Sequence, residues 1–506
     1  MAWREHGVAA VAAGRHSFHN SPMLFGRARS WLWALGLGAG VAAILIALGA
    51  RAWITSREVA RLPLPDLTRR PAAMAAHIRA AYETASRDED SARGVGALCM
   101  AYHADMFFAE AERCYARAAS LDRDWRWDYY RALIHIELGG GAGLADSLRA
   151  IATRVPDNGV VWLRLADAEF KSGRYDEAVA AWRRARELPD PPLGTDEPPH
   201  RAEAPLSAYA ALGLARVALA RHDASAARDV LEPVTAESPG FGPGFRLLGE
   251  AYRVLGRSAD AAWAIAQANR RPAFAPFIDP LADALTRDSR NSTLLLRVAS
   301  EASLGVNAAW SEHLARRAVE FDPDNREAVL KLGRVLRTVG RNEEALALFR
   351  RYHELVPADY LGLAQIGGCL SALGRYAEAE PYLRQAMQGL DDPVTHYNLG
   401  LLLAQTGRLD EAAHEYQRAL DRDPSYSEAR GNLAAVLVRQ GRLDGAAREL
   451  RELVTADPEN AIGLTNLGLV LLEQGRKGEA RTALRRALEV DPTMARAAEA
   501  LRSIAR

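Results

Sequence analysis

The sequence predicts an all-α solenoid of about eleven helix–turn–helix repeats, preceded by one transmembrane helix. Three observations support this fold class. The segment 395–424 returns after a shift of 34 residues at 429–458 and again at 463–492. Each repeat holds two stripes of apolar residues at helical spacing. A proline, which cannot continue a helix, closes the clearest repeats at Pro424, Pro458 and Pro492.

The N-terminal region predicts a membrane anchor. Residues 1–30 form a short basic tail, and residues 31–50 contain no charged side chain. A helix of this length spans about 30 Å, which matches the hydrocarbon core of a bilayer. We expect an uncleaved signal anchor, while small residues near Ala50 and Ala52 leave a cleaved signal peptide open.

The expected location is the bacterial inner membrane, crossed once, with the bulk of the chain on the periplasmic side. Long domains translocate largely regardless of charge, so the arginines after the helix do not oppose this orientation. The scarcity of lysine beside abundant arginine and alanine is typical of a GC-rich bacterial coding sequence.

The remaining elements follow in order along the chain. Residues 51–91 hold a proline-containing stalk and a lead-in helix. Repeat units 1–3 occupy 92–190, units 4–5 occupy 208–271 and units 6–11 occupy 292–494, and a capping helix follows at 495–506. A proline-rich loop at 191–207 and an insertion at 272–291 separate these blocks. The sequence leaves three placements of the insertion open: in a groove of the array, as a cap on unit 5, or on the outer surface.

Composition argues against several classes of function. The net charge is zero, which gives no sign of a nucleic-acid partner. Cys99, Cys114 and Cys369 form no C-x-x-C motif, so zinc ribbons, thioredoxin-type motifs and c-type haem attachment have no support. Cys99 and Cys114 fall on the two helices of one unit. A disulfide is open in an oxidising compartment, but we take the simpler interpretation of two small buried residues.

Motifs that carry chemistry are also missing from the sequence. It contains no H-E-x-x-H, no G-x-S-x-G, no phosphate-binding loop and no kinase signature. Acidic pairs such as Asp410 and Glu411 begin second helices, where they complement the helix dipole. We therefore expect no enzyme activity, no cofactor and no metal site.

The repeat resembles the tetratricopeptide repeat family over roughly 92–494, most clearly after residue 324. In the clearest unit the matching residues are Leu399, Gly400, Gly407, Ala412, Tyr416, Ala419 and Pro424. The pattern weakens upstream, where Met106 replaces the turn glycine and Ser311 replaces the usual alanine. The resemblance implies a right-handed superhelix with a concave groove lined by the first helix of each unit. Such a groove binds a peptide segment or a partner's helix.

A row of polar residues is the main candidate for binding in that groove. Asn398, Asn432 and Asn466 share one position on three successive first helices, and Gln365 and Lys331 hold it in the two preceding units. An amide pairs with a peptide N–H and C=O together, which suits an extended chain. The row resembles the asparagine ladder of the O-GlcNAc transferase repeat domain. The simpler interpretation is that asparagine supports helix packing at this position.

Arg334 and Arg337, further along the same groove, are candidates to receive acidic side chains or a terminal carboxylate. The sequence thus predicts a membrane-anchored, non-catalytic scaffold or adaptor that binds a partner protein or peptide in its groove. Two alternatives stay open. One is an envelope-assembly factor acting by self-association, and the other is a substrate carrier for a separate envelope enzyme.

Overall fold

The computed structural model describes residues 62–141, 143–192, 204–271, 277–304 and 308–505. The predicted basic tail and the transmembrane helix at 31–50 lie outside the described residues. Within those ranges, every helix is too short or too polar to cross a membrane. The chain divides into two units, Met1–Leu62 and Pro63–Arg506, and all the helices below belong to the second unit.

The described residues form 25 helices and no strand, which confirms the predicted all-α repeat fold. The helices before the insertion are α1 (Ala72–Ser86), α2 (Ala92–Ala104), α3 (Phe108–Leu121), α4 (Trp125–Glu137), α5 (Leu144–Arg154), α6 (Gly159–Lys171), α7 (Tyr175–Glu187), α8 (Leu206–Ala220), α9 (Ala224–Glu237), α10 (Gly242–Val254) and α11 (Ser258–Asn269). The insertion contributes α12 (Pro280–Asp288).

The helices after the insertion are α13 (Ser292–Leu304), α14 (Ala308–Phe321), α15 (Arg326–Thr338), α16 (Asn342–Leu355), α17 (Tyr360–Ala372), α18 (Tyr376–Ala386), α19 (Pro393–Gln405), α20 (Leu409–Arg422), α21 (Ser427–Arg439), α22 (Leu443–Ala456), α23 (Ala461–Glu473), α24 (Lys477–Val490) and α25 (Ala495–Ala505). Apart from α1, α12 and α25, they alternate as the first and second helix of a packed pair.

Local sequence fixes where these helices begin and end. Asp392 caps α19 by accepting the N–H groups of Val394 and Thr395 at 2.9 and 3.2 Å. Gly407 ends that helix with φ of 82°, a left-handed conformation that glycine adopts without a steric cost. Met106 takes the equivalent turn in the first pair with φ of 65°, so the turn persists there without its glycine.

The two helices of a pair approach closely because one of them carries a small residue. A Cβ placed on Gly400 of α19 would lie 2.9 Å from the ring of Tyr416 on α20. That ring is 1% exposed, and burying a side chain of this size contributes about 2 kcal/mol. One apolar cluster continues in this way from Ala315 on α14 to Ala483 on α24. The later pairs therefore share a single core.

Cys99 on α2 and Cys114 on α3 form a disulfide with a Cα–Cα distance of 5.2 Å. The expectation of two separate buried residues is therefore wrong. The antiparallel pairing of α2 and α3 brings both side chains to the same level of the pair, where both are fully buried. Cys369 on α17 is a buried free cysteine.

The insertion leaves α11 and returns to the beginning of the array. Helix α12 packs against α2 and α4, which are first helices of the first two pairs, and α14 contacts the lead-in helix α1. Of the three placements that the sequence leaves open, the structure thus has the insertion on the side of the first helices. The array after the insertion begins beside α1 and α2.

Candidate peptide-binding groove

The predicted polar row lies on successive first helices of the later pairs. Lys331 is on α15, Gln365 on α17, Asn398 on α19, Asn432 on α21 and Asn466 on α23. Direct packing of α17 on α19, and of α19 on α21, brings neighbouring members of the row onto one surface. We call the surface formed by these five first helices the C-terminal groove.

Two of the predicted residues converge over Gly368, a residue of α17 that lies between them. A Cβ on Gly368 would lie 3.2 Å from Nη1 of Arg337 and 3.3 Å from Nδ2 of Asn398. Both side chains are half-buried, and neither donates a hydrogen bond to an acceptor within the described ranges. The absence of a side chain at Gly368 therefore lets a guanidinium and an amide donor lie side by side close to the α17 backbone.

Asn432 is already engaged within the chain. Its Nδ2 donates to the hydroxyl of Tyr397 at 3.1 Å. Tyr397 also packs its ring against Tyr416 and Tyr426, with centroid distances of 5.9 and 5.1 Å. Burial raises the pKa of Tyr397, so its hydroxyl stays neutral at physiological pH. The Asn432 amide keeps its oxygen for a ligand, but one of its donors is used.

The other members of the row differ in exposure. Gln365 is 7% exposed, and its Oε1 is buried without a partner in the part of the chain that the structure describes. Asn466 is half-buried on α23, and Arg334 is exposed on α15. Burial, with a smaller contribution from the charge of Arg334, lowers the pKa of Lys331. The row thus has one member on each successive first helix, but its members differ in burial and in hydrogen bonding.

A family comparison supports the repeat assignment. The tetratricopeptide repeat profile matches residues 143–192, 163–240, 308–360, 370–427, 397–461, 433–495 and 465–506. Together these segments cover more than half of the chain. The chain belongs to the tetratricopeptide repeat family. No curated protein matches it significantly in sequence.

Solved tetratricopeptide repeat structures resemble the chain at low identity. YrrB, described as a repeat protein with an unusual peptide-binding site, is 23% identical over 37% of this chain and 97% of its own, with a TM-score of 0.32. PilW, a type IV pilus biogenesis factor, is 20% identical over 42% and 98%, with a TM-score of 0.39. Yeast Tom70 is 14% identical over 82% and 95%, with a TM-score of 0.35. These similarities concern the fold alone.

Sequence reasoning missed Gly368 and Tyr397 as parts of the C-terminal groove. Gly368 follows Gly367, which holds the small-residue position of the repeat, so the second glycine of this pair is the one without a packing role. That doubled glycine was a signal in the sequence. Tyr397 gave no comparable signal because its role depends on the side-chain geometry of the next pair.

The groove of the first pairs is occupied by the chain itself. Asp279, at the start of α12, accepts a hydrogen bond from the hydroxyl of Tyr129 on α4 at 2.7 Å and pairs with Arg164 on α6 at 3.1 Å. The guanidinium of Arg164 also lies 4.5 Å from the ring centroid of Phe277. The segment 277–291, which we call the inserted segment, therefore packs on the first helices of the early pairs.

The other end of the inserted segment is fixed through Asp105, which follows α2. Asp105 accepts the backbone N–H of Arg290 at 2.6 Å, and its carbonyl accepts Nδ2 of Asn291 at 3.0 Å. His77 of α1 lies between Asp105 and Asp288, at 3.0 and 3.4 Å. Burial would lower the pKa of His77, but its hydrogen bonds to the two carboxylates raise it to about 9.

The described residues include no group of three or more His, Cys, Asp or Glu side chains able to hold a metal ion. His396 illustrates the structural use of histidine here. Its ring nitrogens lie 2.6 Å from Glu415 and 2.8 Å from Asp391, so it ties α19 to α20 and to the preceding loop.

Proposed function

We propose that this protein is a non-catalytic scaffold whose C-terminal groove binds an extended segment of a partner protein. The observation that carries the proposal is the convergence of two hydrogen-bond donors, the Arg337 guanidinium and the Asn398 amide, over Gly368. Neither donor has an acceptor in the described structure, and half-buried donors are stabilised when an acceptor reaches them. A peptide carbonyl or a carboxylate of the partner supplies that acceptor.

The amide row suits an extended chain. Asn398, Asn432 and Asn466 recur once per pair and are half-buried, and an amide can offer both a donor and an acceptor to a peptide bond. Gln365 holds the same position in the preceding pair but is buried. Such contacts depend on the backbone, so the affinity is spread over many modest interactions. At one end of the groove, Arg334 and Arg337 favour a partner with an acidic residue or a terminal carboxylate at the matching position.

The inserted segment supports assigning the binding to the C-terminal groove. In the first pairs, the corresponding surface already contacts Asp279 and its neighbours through Tyr129 and Arg164. A partner would have to displace these buried contacts to bind there. In the later pairs, no described segment of the chain covers Arg337 and Asn398 in this way.

We also propose that the N-terminal region anchors the chain in a membrane, with the bulk on the oxidising side. The disulfide between Cys99 and Cys114 supports this orientation, because disulfides persist in oxidising compartments and are rare in the cytosol. The test is to alkylate the free thiols of the protein in freshly lysed native cells, under denaturing conditions and without reductant. We expect only the thiol of Cys369 to react, whereas reaction of all three cysteines would place the domain in a reducing compartment.

Affinity capture with the full chain in its native host tests the groove. The bait is compared with a variant carrying Asn398→Ala, Asn432→Ala and Asn466→Ala. The matched control carries Gln417→Ala, Arg448→Ala and Thr482→Ala, which truncate exposed side chains on the second helices α20, α22 and α24. Circular dichroism first establishes equal helicity.

We expect one partner to be retained by the control and lost by the groove variant. If the groove variant retains that partner as well as the wild type does, the amide row does not bind it and the proposal fails.

A further inference from the structure

A cavity of about 420 Å³ lies under the inserted segment, away from the C-terminal groove. Its apolar wall includes Met106 after α2, Leu133 of α4, Leu285 of α12 and Val298 of α13. The volume falls in the range of small-molecule sites, about 300–1,000 Å³. The site is independent of the function proposed for the groove.

The charges that line this cavity are unbalanced. They belong to Glu137, Asp279, Asp283, Glu301, Arg164 and Arg297. Arg164 pairs with Asp279 at 3.1 Å, and Arg297 bridges Glu137 and Glu301 at 2.9 and 3.2 Å. Asp283 has no hydrogen bond or ion pair within the described ranges. The cavity thus holds two more acidic than basic groups, and one carboxyl lacks a partner.

The environment of Asp283 disfavours its charged form. Burial, followed by the charge of Asp279, raises its pKa to about 7, although Arg287 and Arg164 act in the opposite direction. The carboxyl of Asp283 is therefore only partly ionised at neutral pH. A positive charge beside it would favour the carboxylate.

A second buried polar group faces the same cavity. His103 lines the cavity wall and is 4% exposed. Its Nδ1 lies 3.4 Å from the hydroxyl of Tyr115, and its Nε2 has no partner in the part of the chain that the structure describes. Burial lowers the pKa of His103 to about 3, so the ring is neutral. His103 thus offers a hydrogen bond to a ligand and adds no repelling positive charge.

We propose that this cavity binds a small amphipathic organic cation, with an ammonium group paired to Asp283 and a hydrocarbon body against Met106, Leu133 and Val298. Three of the four lining carboxylates are paired with Arg164 or Arg297, and the described residues hold no cluster suited to a metal ion. An anion would meet the excess of carboxylates. Burial of a hydrocarbon chain supplies affinity, while the ammonium supplies selectivity.

Calorimetric titration of the full chain with three probes of equal length tests this proposal. The probes are n-octylammonium, n-octanol and octanoate. We expect n-octylammonium to bind more tightly than the alcohol and octanoate to bind least. Asp283→Asn removes the charge with little change of shape, and it should weaken n-octylammonium binding at least about tenfold while leaving n-octanol unchanged.

The matched control is Asp229→Asn, which removes an exposed carboxylate on α9 far from the cavity wall. Val298→Phe fills the cavity and should weaken both n-octylammonium and n-octanol. Binding of n-octylammonium to the wild type should also strengthen from pH 6 to pH 8, and this trend should vanish in Asp283→Asn. Equal binding of all three probes, no binding, or full retention by Asp283→Asn would overturn the proposal.

Discussion

Within the binding site proposed for the C-terminal groove, Gly368 is the residue whose substitution tests recognition most locally. Because it has no Cβ, Nη1 of Arg337 and Nδ2 of Asn398 lie only 3.2 and 3.3 Å from the Cβ position. A methyl group there would push both donors aside. Both neighbours are ends of flexible side chains, so a methyl group can be accommodated without disturbing the helix.

We predict that Gly368→Ala weakens partner binding about tenfold, the equivalent of one charge-assisted hydrogen bond, without loss of stability. Gly431→Ala on α21 is the matched control, because a Cβ there meets no atom within 4 Å. Binding can be measured by calorimetry once the partner is known. Unchanged affinity in Gly368→Ala would show that the partner does not depend on the placement of Arg337 and Asn398 over residue 368.

The sequence alone anticipates part of this site. The 34-residue period aligns Asn398, Asn432 and Asn466, and the structure places them on successive first helices. The period cannot show that Asn432 donates to Tyr397, since that contact joins side chains 35 residues apart. Nor does it show the approach of Arg337 to Asn398, which depends on how three neighbouring pairs stack.

At the scale of elements, the disulfide between α2 and α3 joins two helices that already pack together. Cys99 and Cys114 are 15 residues apart, and closing a loop of this size stabilises a fold by about 3 kcal/mol. We predict that the variant Cys99→Ala/Cys114→Ala has a lower thermal midpoint, and that reductant lowers the wild-type midpoint but not that of the variant. The prediction is contradicted if reductant leaves the thermal midpoint of the wild type unchanged, even under denaturing conditions that expose the sulfurs.

The inserted segment is fixed by a titratable contact. The pKa of His77 is raised from 6.5 to about 9 by Asp105 and Asp288, against the effect of burial. A raised folded-state pKa gives stability that is fully present below pH 6.5 and is lost as the pH rises through 9. The contribution is about 3 kcal/mol at most.

We therefore predict that the free energy of unfolding falls between pH 6.5 and pH 9, and that His77→Gln removes most of this fall. Denaturant unfolding across that range is the measurement, with His414→Gln, an exposed histidine on α20, as control. If His77→Gln keeps the same pH dependence as the wild type, the ion pairs do not hold the inserted segment.

The start of helix α12 could be predicted from the sequence, but the surface on which the inserted segment packs could not. Asp279 followed by Pro280 is a helix-start signal, and α12 begins at Pro280. Its destination rests on Tyr129 and Arg164, which are 150 and 115 residues away in the chain. Local patterns hold no information about such contacts, so three placements fitted the sequence equally and only the structure distinguishes them.

Across the whole array, the first helices of the early pairs and those of the later pairs form two different surfaces. In an array without the inserted segment these two surfaces would be equivalent. The inserted segment covers first helices of the early pairs, whereas no segment of this kind covers the later first helices within the described ranges. We predict that a partner contacts the later first helices and does not contact the second helices of the same pairs.

Site-specific photocrosslinking measures which of these two helix surfaces the partner contacts. A photoreactive amino acid is placed either at Ala435, which is exposed on the first helix α21, or at Arg448, which is exposed on the second helix α22 of the same pair. We expect a crosslinked partner from position 435 and none from position 448. Crosslinking from 448 alone would place the partner on the second helices and contradict binding in the C-terminal groove.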